Sequence, residues 1–211
     1  MMSGDLTVGI LAGGESSRFR SEKSLADFRG KPLVSRMIEI AKQLSDNVLV
    51  VVSSEEGNKA VKDIIGETMV VVDPDESIRC ALTGALTAFE HTDTSYTLLL
   101  PVDTPLANVQ LLRTLYDLRA GHGAVVPSWP SGYIEPLHAV YLAEHAYSKG
   151  MRVSSEGKYR MRNLLDSLSN VMYVSTMVLK EIDPDLQTFT NINTESDLRE
   201  LESRAKRKTG N

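Results

Sequence analysis

LTVGILAGGESSRFRSEKS, running from Leu6 to Ser24, is the stretch that decides the fold. Leu6 to Leu11 shows no alternating polar face, so it reads as a strand buried on both sides, as in a parallel sheet covered by helices. Gly13 and Gly14 follow at the point where the chain leaves that strand. Without side chains there, main-chain N–H groups can approach an anion closely. Arg18, Arg20 and Lys23 add positive charge to the same loop.

Outward from this strand the pattern repeats. Val48 to Val52, Met69 to Val72, Tyr96 to Leu100, Ala124 to Val126 and Leu137 to Leu142 are short runs rich in Val, Leu and Ile, each read as a buried strand. Between them lie segments of helical period. In Pro32 to Leu44, the residues Leu33, Met37, Ile40 and Leu44 share a stripe and Pro32 suits the first turn; Ile78 to Phe89 and Val109 to Leu118 are the others. Strands alternating with helices imply right-handed βαβ units. The expected fold is therefore α/β: a Rossmann-like three-layer sandwich with a mostly parallel sheet, in one domain spanning 1–211. Ser128, Trp129, Pro130, Ser131 and Gly132 leave the sheet as a turn-rich excursion. Thr194 and Asp197 form a capping-box pattern that opens a last helix running to about Ala205. The basic run Arg204, Lys206, Arg207 and Lys208 is read as a flexible, solvated tail.

Composition narrows the function. With 23 basic and 28 acidic residues the net charge is −5, which argues against a nucleic-acid-tracking surface. Cys80 is the only cysteine, which excludes an internal disulfide and a cysteine-cluster metal site and fits a reducing cytoplasm. No apolar run approaches the roughly 18 residues of a membrane span, and the first residues lack a secretory pattern, so no membrane role is expected. The histidines, His91, His122, His138 and His145, lack metal-ligand spacing. No G-x-S-x-G elbow occurs. Lys23 is not in a Walker A sequence, and the glycines do not form G-x-G-x-x-G.

Ligands of doubly wound sheets sit beyond the carboxyl ends of the strands, so the residues just after each apolar run are the candidates. The first end supplies the glycine loop and Lys23, or else a plain tight turn. The second supplies Asp73, either a hydrogen-bond acceptor for a base or ribose, or an Asp-Pro turn and helix cap. The third supplies Asp103, between Pro101 and Pro105, a stiffly placed carboxylate suited to a hard cation such as Mg²⁺, or the start of a turn. His138 reads as a packed or surface-facing residue of a strand. Trp129 and Tyr133 are candidates for stacking on a flat ring, with packing the plainer reading.

Together, LAGGESSRFRSEKS (11–24), Asp103 between its prolines, EPLHAVY (Glu135 to Tyr141) and FTNINTESDL (Phe189 to Leu198) resemble the molybdenum cofactor guanylyltransferases, within the nucleotidyltransferase superfamily. The resemblance implies a nucleotide-diphospho-sugar-transferase-like fold. It also implies transfer of GMP from GTP to molybdopterin or its molybdenum-loaded form, with molybdenum-insertion proteins and molybdoenzyme chaperones as partners. Carried over by residue, Leu11, Ala12, Gly13 and Gly14 would line the GTP through the backbone, with Arg18, Lys23, Ser53 and Asp73 around it. Asp103 would hold Mg²⁺ and nucleotide, and Asn191 and Asn193 would lie by the pterin. Lys23 and Asp103 are the candidate catalytic residues. The chain departs from the family at Arg20, usually glycine, at Glu22, usually Asp, and at Ser53, often Asn. Cys80, Ala81 and Leu82 replace a Gly-Pro-Leu, with Gly84 kept. Rival readings are a transferase using CTP with molybdopterin, one using GTP with another phosphorylated acceptor, and a nucleotide-binding regulator that does not catalyse.

Overall fold

A computed structural model describes residues 4–13, 23–74, 78–194 and 196–201. Gly14, Arg18, Arg20, Glu22 and the basic tail therefore lie outside the described residues.

The first strand, β1 (Leu6–Leu11), is buried along its whole length. A 3₁₀ turn (Lys23–Leu25) and a small hairpin of β2 (Asp27–Phe28) and β3 (Lys31–Pro32) lead into α1 (Leu33–Ala41). The hairpin turns on Arg29 and Gly30, both with positive φ (57° and 79°), the backbone that a tight two-residue hairpin demands. Then come β4 (Asn47–Val52), α2 (Glu55–Ile65), β5 (Met69–Val72), α3 (Ala81–Glu90), β6 (Tyr96–Pro101) and α4 (Val109–Asp117). The chain continues through β7 (Ala124–Ser128), β8 (Val140–Leu142), α5 (Ala143–Ser155), α6 (Met161–Ser167), β9 (Val171–Ser175) and α7 (Thr176–Leu179).

Seven strands form one sheet in the order β5-β4-β1-β6-β8-β7-β9. All neighbours pair in parallel except β8, which runs antiparallel to β6 and to β7. The last part of the expected strand from Leu137 thus becomes a short antiparallel insert, and the sheet is mostly parallel. Period-two alternation divides the core into two apolar layers. Val8, Ile10, Val48, Val50, Leu98 and Leu100 pack on the face covered by α1, α2 and α4. Leu49, Val51 and Leu99 pack on the face covered by α3, α5 and α6.

The helix boundaries follow local chemistry. Pro32 lies just before α1 as its N-cap rather than in its first turn. Ser54 caps α2 by accepting from the Gly57 N–H at 3.1 Å, and Asn108 caps α4 by accepting from Gln110 and Leu111. The third helix starts at Ala81 rather than Ile78, which frees Ile78, Arg79 and Cys80 as a connecting loop. Beyond β7 the chain turns back on itself: the Gly132 N–H reaches the Trp129 carbonyl at 2.9 Å and the Trp129 N–H reaches that of Tyr133 at 2.8 Å. Residues 196–201 are helical. Thr194 and Asp197 make the reciprocal cap, with Asp197 N–H to Thr194 Oγ1 at 3.1 Å and Thr194 N–H to Asp197 Oδ2 at 2.9 Å.

Candidate active site

Four neighbouring strands end at nearly the same height. Leu11 stands beside Val51 and Pro101, and Val52 beside Val72. The ladder continues one residue past the strands, through Ala12 N–H to Val51 O (2.8 Å), Asp73 N–H to Val52 O (2.8 Å) and Val102 N–H to Leu11 O (3.0 Å). The residues that follow are consequently brought side by side. Leu11, Ala12, Gly13, Lys23, Ser53, Asp73 and Asp103 all line one cleft of about 360 Å³.

Gly13 is glycine here for reasons of space. Its φ is not in the left-handed region, and a Cβ would come within 3.2 Å of both the Cβ and the backbone N of Ser53. The second-strand loop therefore closes on the first loop with room only for hydrogen. Asp73 is buried at 8% exposure on the cleft wall.

Lys23 is positioned by the chain after it: Ser24 and Phe28 are fully buried, and the Leu33 N–H returns to the Ala26 carbonyl at 3.0 Å. Its ammonium donates to Asp103 Oδ2 at 2.5 Å and to Asn193 Oδ1 at 3.0 Å. The side chains of Lys23 and Asp103 retain only 17% and 15% exposure. The other carboxylate oxygen, Asp103 Oδ1, is buried with no hydrogen-bond partner among the described residues. An ionised oxygen left bare in a cleft calls for a cation or a donor from a ligand, so Asp103 fits a divalent metal. No group of three or more His, Cys, Asp or Glu that could hold a metal occurs among the described residues. One carboxylate plus oxygens of a phosphorylated ligand and water is the set that magnesium ordinarily accepts.

The Asn191–Asn193 segment is tied to the same loop by Ile192 N–H to Asp103 O at 2.9 Å. Asn191 and Asn193 are both exposed, and Asn193 reaches Lys23. Asp197 sits close by; N–H groups of Asn193 and Thr194 hold its carboxyl below the usual carboxylate range, and Lys23 adds to this. Arg79, Cys80, Ala81, Gly84 and Leu137 also line the cleft. Arg79 was hidden in sequence by the apolar periodicity that extends α3 backward. Trp129 packs edge-to-face on Phe189 (6.0 Å, 68°), the plainer of its two readings, and Tyr133 is 62% exposed; neither lines the cleft.

A glycine-opened turn, a lysine and a bare carboxylate thus meet at the carboxyl ends of one mostly parallel sheet, and comparison with known proteins makes the chain a nucleotidyltransferase. The MobA-like NTP transferase domain family matches residues 8–171, and the chain belongs to that family. It is 27% identical to the probable molybdenum cofactor guanylyltransferase of Methanosarcina mazei, covering 95% of this chain and 92% of that one. It is 32% identical to the protein of the same name from Thermococcus kodakarensis, over 91% and 92% of the two chains. The crystal structure of molybdopterin-guanine dinucleotide biosynthesis protein A from Archaeoglobus fulgidus superposes with a TM-score of 0.81 at 26% identity, covering 95% of this chain and 99% of that one. A 4-diphosphocytidyl-2C-methyl-D-erythritol synthase from Anaerococcus prevotii shares the fold at 12% identity, with a TM-score of 0.71 and 95% and 96% of the two chains covered.

Proposed function

We propose that the chain transfers GMP from GTP to the phosphate of molybdopterin, or of its molybdenum-loaded form, giving the guanine dinucleotide and pyrophosphate. The names of its relatives support the substrates. The observation that carries the chemistry is the bare, buried Oδ1 of Asp103, whose other oxygen holds the Lys23 ammonium, in the cleft that Gly13 also lines.

An acceptor phosphate oxygen attacks the α-phosphorus in line; that O–P bond forms as the bond to the pyrophosphate oxygen breaks. The acceptor is already an anion near neutral pH, so no protein base is required, and catalysis rests on position and charge. The backbone N–H of Gly13 lines the triphosphate, the Ala12 N–H being engaged by the Val51 carbonyl, and Lys23 neutralises it as charge moves onto the leaving group. Asp73 and Ser53 face the nucleoside, while Asn193, on the far side of Lys23, faces the acceptor together with Asn191. Mg²⁺, when bound on Asp103, supplies Lewis-acid charge to the phosphate oxygens.

A pyrophosphate-release assay with molybdopterin and each of GTP, CTP and ATP tests the reading. Release that depends on GTP is expected. Release with CTP alone would assign cytidylyl transfer instead. A GTP-induced rise in melting temperature without pyrophosphate from any acceptor would make the chain a nucleotide-binding regulator.

A further inference from the structure

Next to Asp103 in the chain, Thr104 belongs to a cluster that the proposed reaction leaves unused: the buried Thr104 and His138 with the partly buried Glu135 and Phe189. His138 is 2% exposed and Thr104 fully buried. The Thr104 hydroxyl donates its single proton to the Pro101 carbonyl at 3.0 Å, so its oxygen is left to accept from His138 Nε2 at 3.3 Å. That assigns the imidazole proton to Nε2. Nδ1 then carries a lone pair, is buried without a partner, and stands 3.8 Å from Glu135 Oε2, beyond hydrogen-bond reach. Burial lowers the His138 pKa to about 3, so the ring is neutral and its approach to Glu135 is not an ion pair.

The same ring meets Phe189 edge-on, with centroids 5.2 Å apart at 87°. Phe189 rests on Trp129, whose Nε1–H donates to Glu135 Oε1 at 2.8 Å. One imidazole thus touches two loops: through Thr104 the loop of Asp103, and through Phe189 the segment that ends in Asn193. Among the described residues these loops are otherwise tied by the Ile192 N–H to Asp103 O bond (2.9 Å) and by the Asn108 N–H to Thr188 Oγ1 bond (3.0 Å), neither of which touches the Asp103 side chain. Simple filling would be better served by Phe or Leu, because an unpartnered buried nitrogen costs about 1–3 kcal/mol.

We propose that His138 is a positioning residue: through Thr104 and Phe189 it fixes the Asp103 loop against the Asn191–Asn193 segment, and so sets the aim of Asp103 Oδ1 at a metal–nucleotide complex. The inference rests on the nucleotidyl-transfer reading but has a readout of its own. Mn²⁺ affinity is measured by electron paramagnetic resonance on the full chain with α,β-methylene-GTP, beside kcat and KM for pyrophosphate release. Thr104→Val, which keeps shape and loses the hydroxyl, and His138→Phe, which keeps bulk and loses Nε2–H, each weaken Mn²⁺ binding about tenfold or more. Both lower kcat by a similar factor with GTP KM changed less than about twofold. His138→Gln, whose amide N–H can replace Nε2–H, restores most of the loss. Circular dichroism establishes that each variant is folded; should His138→Phe not fold, Thr104→Val carries the test. Wild-type Mn²⁺ affinity in a folded Thr104→Val or His138→Phe protein would overturn the proposal, as would a loss in His138→Gln as large as in His138→Phe. A wild-type chain that binds Mn²⁺ and nucleotide but releases no pyrophosphate with any acceptor overturns the transfer reading, and the Mn²⁺ comparison still decides His138.

Discussion

Replacing Lys23 by Met removes an ammonium that stands 2.5 Å from Asp103 Oδ2 and 3.0 Å from Asn193 Oδ1. At 2.5 Å and an effective dielectric of about 20, the gross attraction of the pair is about 7 kcal/mol. Most of that is offset by taking both charges out of water. With 17% and 15% of the side chains still exposed, the pair lies between a solvent-exposed one and a fully buried one. Abandoning the Asp103 carboxylate, whose Oδ1 already lacks a partner, should cost about 2 kcal/mol. For a chain of 211 residues that is a fall in Tm of about 4–8 °C. Asp103→Asn leaves Lys23 with Asn193 and water, and should cost under about 1 kcal/mol. The double variant should recover most of the Lys23→Met loss, a non-additivity of at least about 1 kcal/mol. Turnover behaves differently: each single substitution removes charge from the transition state and lowers kcat by about 100-fold or more. Thermal melts of the nucleotide-free protein and pyrophosphate release provide the two readouts. If Lys23→Met melts within about 1 °C of wild type, or if the two substitutions add, the ion pair does not have the energetic role argued from its geometry.

Gly13→Ala forces a Cβ against the Ser53 backbone, so it should raise the GTP KM about five- to tenfold while the Tm changes little; an unchanged KM in steady-state kinetics would show that this loop does not approach the nucleotide. Asn193→Ala, which strips Lys23 of an acceptor, should lower kcat about tenfold, whereas Asn191→Ala should act only on acceptor KM; equal effects in both would count against the distinction. The buried, neutral His138 makes stability pH-dependent. Its folded pKa of about 3 lies below the unfolded value, so the unfolded chain takes up the proton first, and the stability present above about pH 6.5 is lost as pH falls toward 3. Burial raises the Glu135 pKa, which acts in the opposite sense and offsets part of the slope. Urea midpoints at pH 7 and pH 5 should therefore differ less in His138→Gln than in wild type; parallel slopes would show that another group governs the acid limb.

The fold was legible where strands are buried on both faces. Leu6–Leu11 begins and ends where its apolar run does, because helices cover both sides of the sheet there and leave no polar alternation to confuse the reading; Met69–Val72 matches its run as well, although it is a partly exposed edge strand. The helix α2 escaped notice because only Gly57 and Val61 are buried, too few to mark a stripe. The strand β9 is a half-exposed edge, and the reversed direction of β8 depends on pairing partners that no local pattern encodes. Asp73 and Asp103 stood out in sequence as carboxylates at the ends of apolar runs, each with a turn as its alternative, and the structure sets both on one cleft. The Lys23–Asp103 contact joins residues 80 apart, and the His138–Thr104 contact residues 34 apart, so both emerge only from the packed sheet. His138, in sequence a packed or surface-facing residue of a strand, is buried just before β8; what it contacts is visible only when Thr104 and Phe189 are placed around it.

The bond from the Ile192 N–H to the Asp103 carbonyl also bears on how the protein comes into being on the ribosome. The sheet strands that deliver Gly13 and Asp103 emerge before the segment around Ile192, and domains begin to fold as they leave the tunnel. The partner that holds the Asp103 loop is therefore translated well after the residues it holds. A nascent chain would thus display a nearly complete nucleotide pocket well before it has the segment that arms it, and ribosome-bound intermediates halted before residue 193 should be inert toward nucleotide chemistry.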